Sequence, residues 1–315
     1  MGKATIRSIA KKLNIAPATV HRALSGCGSV ALSTRRRIIR CANESGYILP
    51  ERNSRNIAVL VPHFRFYGYM TPMLSALENV LHEHHYHLQL IPEADIDVLG
   101  DHMFDGIISM VWQEGKVLTL PREYPIPIVS LNSAFSVSEN ISLVASAKHG
   151  ILLALNYLKH HNCRRVFFVG TLTEKNPIAL ERLADFRQFC LENSLDFDRM
   201  HRSVAAAEVE SVLPDILSAG ADGVFCASET FASRLGKAML KHGIAIPEDI
   251  SLMGMEDEEL NTAFSPPITA IRQDFEKLAQ CTVEVLIQAI EKRIPVKNIR
   301  VPYTLIERAS VRKKD

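Results

Sequence analysis

Apolar positions recur along this chain with two periods. Near its start Ile6, Ile9, Ala10 and Leu13 fall at i, i+3, i+4 and i+7, one face of a helix, with Thr5 ahead of them as N-cap. Asn14 tolerates a left-handed backbone and Pro17 suits a first helical turn, so a tight turn leads into a second helix from Pro17 to about Leu24. Its buried side is Val20, Ala23 and Leu24, which leaves Pro17, Ala18, His21, Arg22 and Ser25 on a common outer face. A third helix is expected in TRRRIIRCANESG, capped by Ser33, closed onto the other two by Ile38, Ile39 and Ala42, and ended by Gly46. Residues 1–47 therefore read as a small all-α, three-helix unit of helix-turn-helix type, and residues 48–56 as a short linker.

From Ile57 the period changes. NIAVLV, DGIIS, IPIVSL, RRVFFVG, DGVFCA and DISLMG are short continuous apolar runs, followed by longer helical stretches such as 70–84, 148–160 and 230–242. Continuous apolar strands alternating with helices predict parallel sheets covered on both faces. The 259 residues from 57 to 315 are long enough for two cores, so the fold class is α/β, with the helical head followed by two doubly wound parallel lobes.

Charge changes the picture of the head. Residues 1–56 hold eleven Lys and Arg against Glu44 and Glu51, a balance of +9, so with +1 for the whole chain the other 259 residues carry −8. An ordinary helical hairpin with a solvated face does not need that asymmetry; a polyanion-binding head on an acidic body does. The outer face of the second helix is then the surface offered to a DNA major groove, and Arg35 and Arg36, outside that helix, are expected on phosphates.

Other signals subtract possibilities. The run HEHHYH from His82 to His87 straddles a helix end and a strand start and lacks Cys or carboxylate partners at ligand spacing, so no metal is expected. Six scattered cysteines without a C-x-x-C pair read as buried thiols. There is no glycine-rich dinucleotide loop, P-loop or nucleophile elbow, so neither cofactor nor catalysis is expected. The opening MGKATIRSIAKK lacks a signal-peptide apolar region and no run of 18 apolar residues occurs, so a cytoplasmic protein without membrane segments is expected.

The order of these residues resembles a known family. TIRSIAKKLNIAPATVHRALSG, followed by STRRRIIRCANESGY, is similar to the head of the LacI/GalR bacterial transcription regulators, and ALERLADFRQ, IPEDISLMGMEDEEL and PPITAIRQDFEKLAQCTVEVLIQ resemble landmarks of their body. Ala16 and His21 stand where that family usually has serines, the second a phosphate contact. The resemblance implies a homodimeric repressor on a near-palindromic double-stranded operator, with Pro17, Ala18 and Arg22 at base edges and Thr5, Thr19, His21 and Ser25 completing the DNA set. It also implies a periplasmic-binding-protein-like sensor for a small effector, with chain crossings near His161, Ala270 and Pro295: lobe 1 over 57–161 and 271–294, lobe 2 over 162–270 and 295–310.

By the same resemblance Arg182 reaches the effector, Glu256 replaces a family aspartate, and Ser228 and Glu229 replace an Asn-Asp pair. Tyr67 and Tyr69, after the first strand of the body, could stack on it or bond to it. A rival reading is a cytosolic solute-binding or enzymatic α/β protein with a basic appendage. The linker departs most: relatives carry a longer segment whose hinge helix wedges a leucine into the minor groove, whereas only ILPERNSRN separates Tyr47 from Ile57. Leu49 is the one available wedge, Pro50 after it disfavours helix there, and Arg52 and Arg55 are expected on phosphates, so a reduced hinge and a weakly bent operator are expected.

Overall fold

The computed structural model describes residues 4–25, 30–47, 55–62, 64, 68–101, 104–111, 126–132, 141–171, 177–292 and 297–313. The head consists of α1 (Ile6–Leu13), α2 (Pro17–Ser25) and α3 (Leu32–Glu44). Thr5 caps α1, its Oγ1 accepting from Ser8 N at 3.1 Å while Ser8 Oγ accepts from Thr5 N at 2.9 Å. Asn14 ends α1 at φ 54°, the left-handed turn its side chain tolerates. Ile9, Val20, Ile38 and Ala42 are at most 1 % exposed and form the head's own core with Ala23, Leu24 and Tyr47. Ser33, expected as the cap of the third helix, lies inside it, because α3 already starts at Leu32 and Arg35 N donates to Ala31 O.

The body contains strands β1 (Asn56–Val61), β2 (His87–Pro92), β3 (Gly106–Ser109), β4 (Ile128–Leu131), β5 (Ile141–Ser146), β6 (Val166–Thr171), β7 (His201–Val204), β8 (Gly223–Cys226), β9 (Ser251–Met255), β10 (Thr269–Arg272), β11 (Asn298–Val301) and β12 (Thr304–Ile306). They form two sheets, ordered β11-β5-β4-β3-β1-β2 and β12-β10-β9-β8-β6-β7. The registered pairs are parallel except β10 with β12, which is antiparallel. In β3, β5, β8 and β9 every residue is buried, as strands covered by helices on both faces require.

Contacts divide the chain into one unit of residues 1–66, 73–145 and 276–299 and another of 67–72, 146–275 and 300–315. Besides the short segment 67–72, the chain changes unit after 145, 275 and 299, where the sequence pointed to His161, Ala270 and Pro295. The first difference comes from the helix Ile151–His160. Its buried Ile151, Ala154, Leu155 and Leu158 belong to the second lobe's core, with Val166, Phe167, Phe225 and Leu252, rather than to the first lobe. Leu286, on the helix Phe275–Lys292, packs so tightly on Gly106 of β3 that a Cβ there would lie 2.8 Å from its Cδ1, which fixes that helix to the first lobe.

Both sheets reverse their order beside their first strand, between β1 and β3 in one lobe and between β6 and β8 in the other. In open α/β sheets ligands bind outside the carboxyl ends of strands at such switch points. In the second lobe that rule points to the residues just after β6, β8 and β9.

Candidate nucleic-acid interface and ligand site

The head exposes the face the spacing predicts. Pro17, Ala18, His21, Arg22 and Ser25 are exposed and Thr19 half-buried, while Val20, Ala23 and Leu24 are 0–5 % exposed beneath them. Arg22 lies back along its own helix, with Nε 3.4 Å from Ala18 O and Nη2 3.5 Å from Thr19 Oγ1, and Ser25 Oγ donates to His21 O at 2.8 Å. The long bonds to Arg22 are cheap to give up, which leaves its forked donors available for a guanine edge. Arg36, Arg37 and Arg40 are exposed on α3, and Arg35 is half-buried. Thr5 is occupied as the cap of α1.

The linker residues Leu49 and Arg52 lie outside the described residues. Arg55 is described: its Nη1 donates to His84 O at 3.4 Å and its guanidinium sits 5.3 Å from the centre of the Tyr86 ring. It must leave that perch to reach a phosphate.

In the second lobe, Arg182 projects from the helix Pro177–Glu192 that follows β6, and its Nη1 donates to Ala227 O at 2.8 Å, in the loop leaving β8. Ser228 and Glu229 continue that loop, at the strand end where the switch-point rule places a ligand. Burial works against the charged guanidinium, yet Tyr303, Glu229 and Glu181 outweigh it and hold its pKa above the ordinary arginine value. Burial pushes the Glu229 carboxyl up, only partly opposed by Arg182 and its own backbone. Arg182 Nε is buried without a hydrogen-bond partner. The helix Ile151–His160 starts beside this group: a Cβ on Gly150 would lie 2.1 Å from Cε2 of Tyr303, so only glycine lets that ring lie where it meets Arg182.

Glu256, after β9, is engaged otherwise. Its Oε2 accepts from Arg308 Nη1 at 2.9 Å and Asn261 Nδ2 at 3.0 Å, and its Oε1 accepts from Arg308 Nη2. Burial would raise this carboxyl, but the hydrogen bonds from Arg308 and Asn261 and the charges of Arg308 and Arg272 hold it below the ordinary glutamate range. Arg308 also donates to Ile268 O at 2.7 Å, so the pair pins the segment after β12 onto the sheet. Tyr67 lies outside the described residues; Tyr69 is half-buried, its ring centre 5.8 Å from that of Phe275.

Sequence reasoning missed Tyr303, Arg308 and Asn261. The stretch PYTLIER carries an aromatic and an arginine among apolar residues, but only the antiparallel pairing of β12 with β10 brings Arg308 to Glu256. Among the described residues no group of three or more His, Cys, Asp or Glu is placed to hold a metal, and no helix is long and apolar enough to cross a membrane. The thiols of Cys163, Cys190 and Cys226 are buried and raised, that of Cys190 to about 11, which makes them poor nucleophiles.

A helix-turn-helix head joined to two doubly wound lobes, with polar residues gathered at one lobe's switch point, defines a DNA-binding regulator with a solute-binding type of body. A family model for the periplasmic binding protein-like domain matches residues 155–311. The ribose operon repressor of Halalkalibacterium halodurans is 26 % identical over 98 % of this chain and 97 % of its own length, and the HTH-type transcriptional repressor PurR of Aliivibrio salmonicida 24 % identical over 92 % and 93 %. The fold is shared with the transcriptional regulator CelR in complex with cellobiose (TM-score 0.72, 19 % identity, covering 98 % of this chain and 100 % of that one). It is shared equally with the Lac repressor bound to ONPG (TM-score 0.72, 17 % identity, the same coverage). The chain is thus similar over nearly its whole length to transcription repressors, and it shares the fold of the Lac repressor.

Proposed function

We propose that this chain is a cytoplasmic, homodimeric, sequence-specific repressor that reads the two half-sites of a near-palindromic operator through α2 and is controlled by a small molecule held at the switch point of its second lobe. The observation that carries the reading is the exposed face Pro17, Ala18, His21, Arg22 and Ser25, on a head that with its linker carries +9 against −8 for the body. A single head offers one recognition helix, and two half-sites call for two heads related by a two-fold axis. Repressors similar over nearly the whole chain support the regulatory role, and ligand-bound structural neighbours support a small effector. Those relatives are regulators, not enzymes.

Within the second lobe, Arg182, Ser228 and Glu229 form the effector face, and Glu256 acts through Arg308 as a fastening of the fold. Arg182→Ala is expected to abolish the effector response and leave DNA affinity of the free protein unchanged. A salt titration separates this reading from a solute-binding protein with a basic appendage. A regulator making six to ten phosphate contacts loses roughly 10³–10⁵ in affinity between about 50 and 200 mM salt. Absence of sequence preference at any salt would end the proposal.

A further inference from the structure

We propose that the acidic 3₁₀ segment Glu93–Asp101 of the first lobe is an internal stand-in for the DNA backbone: it docks α3 of the head in the DNA-free protein, and phosphates must displace it. The inference rests on the reading of α3 as the helix that meets phosphates.

The two elements carry opposite charge and lie against one another. In α3, LSTRRRIIRCANE, Arg35, Arg36, Arg37 and Arg40 precede one acid, Glu44, whereas EADIDVLGD holds Glu93, Asp95, Asp97 and Asp101 and no base. α3 packs on that segment, and both belong to the same compact unit. The segment is a fixed support. Leu99, 1 % exposed, and the half-buried Ile96 tie it to the first lobe's core with Ile91, Phe104 and Ile107, while Asp95 and Asp97 are exposed. On α3, Ile38 and Ile39 are committed to the head's own core, and Arg36, Arg37 and Arg40 are exposed.

Charge spacing makes the segment a plausible mimic of a phosphate row. Its nine residues follow roughly 18 Å of contour at about 2 Å each, so one acid falls every ~4.5 Å, against one phosphate per about 3.4 Å along a DNA strand. DNA still has the advantage, because it offers a second strand and a longer row. The face Pro17, Ala18, His21, Arg22 and Ser25 is exposed while α3 is docked, so the base-reading helix is open and the backbone-reading helix is engaged. An acidic segment left between α3 and a duplex would repel the phosphates, so the contact opens when DNA binds. Specific and random duplexes break the same contact, and the dock lowers affinity for both by one factor.

The test is competition binding of the full chain to a random 30-base-pair duplex at about 50 and 200 mM salt, with wild type and the double variant Asp95→Asn/Asp97→Asn. Both positions are exposed, so the fold should tolerate the change. The variant should bind about three- to tenfold tighter at the lower salt, the range of two exposed charge contacts, and the gain should shrink at the higher salt as screening weakens the dock. Glu78→Gln/Glu83→Gln removes two exposed acids from the helix Met70–Glu83 of the same lobe and serves as the charge-matched control, with a gain below about twofold. Hydrogen exchange of wild type supplies a readout that needs no variant: adding the random duplex should speed exchange across Glu93–Asp101 as α3 leaves it. A gain no larger than the control's, or exchange across that segment unchanged or slowed by DNA, overturns the proposal. Wild type without sequence preference would end the regulator reading instead, and the random-duplex result would still decide the dock.

Discussion

Glu256→Gln should be among the most destabilising single changes in the second lobe. The side chains of Glu256 and Arg308 are only 6 % and 13 % exposed, and the carboxylate receives two bonds from the guanidinium and one from Asn261. The substitution removes the negative charge and leaves the arginine buried and uncompensated, which costs about 3–5 kcal/mol. For a lobe of this size that corresponds to a fall in unfolding midpoint on the order of 10 °C. Urea and thermal unfolding of the full chain without effector measure it.

The pH dependence has a definite sign. The folded carboxyl titrates below its ordinary value, so its contribution is complete above the unfolded carboxylate range, about 4.3, and is lost as pH falls through the lower folded value. The gap between wild type and Glu256→Gln should therefore close in acid. Combining Glu256→Gln with Arg308→Met should recover much of the loss, since an apolar replacement of both partners is far less costly than breaking one. A loss below about 1 kcal/mol, or no recovery in the double variant, would refute the fastening role and return Glu256 to the effector.

Arg22→Ala should cost about 1–3 kcal/mol on the specific operator and much less on random DNA, measured by competition binding; equal losses would move Arg22 to the backbone. Arg36→Ala should weaken both DNAs alike and reduce the salt slope by about one. Gly150→Ala, whose Cβ would meet the Tyr303 ring at 2.1 Å, should cost about 1–3 kcal/mol of stability by overpacking and blunt the effector response, because Tyr303 is the neighbour of Arg182. A circular-permutation gel with wild type and Leu49→Ala should show a weak operator bend that the substitution leaves unchanged; a strong bend abolished by it would restore the hinge mechanism.

Six strands of the body were legible because each is buried on both faces and written as a continuous apolar run: β1, β3, β4, β6, β8 and β9. The unannounced ones are mostly the edges. HLQLIP of β2 and HRSV of β7 mix polar and apolar residues because one side of each is half-solvated, and β11 and β12 close the opposite edges with the same texture. The head was legible almost to the residue, since its core obeys a local helical period; only Ser33 misled, a good capping residue placed two positions too late. Lobe boundaries were not legible for a physical reason. The apolar stripe Ile151, Ala154, Leu155 and Leu158 states that the helix is buried, but not against which of two similar sheets. In the proposed effector site Arg182, Ser228 and Glu229 could be taken from the resemblance, whereas the commitment of Glu256 depends on Arg308, 52 residues away, and no local pattern encodes that distance.

Binding of the full-length chain to a randomised duplex pool, with the selected sites re-measured across a salt series, addresses the central claim most directly. A dimeric reader of two half-sites should enrich one near-palindromic site, lose affinity steeply with salt, and lose the enriched sequence preference in Arg22→Ala. A pool that stays random, or an affinity indifferent to salt, would contradict it.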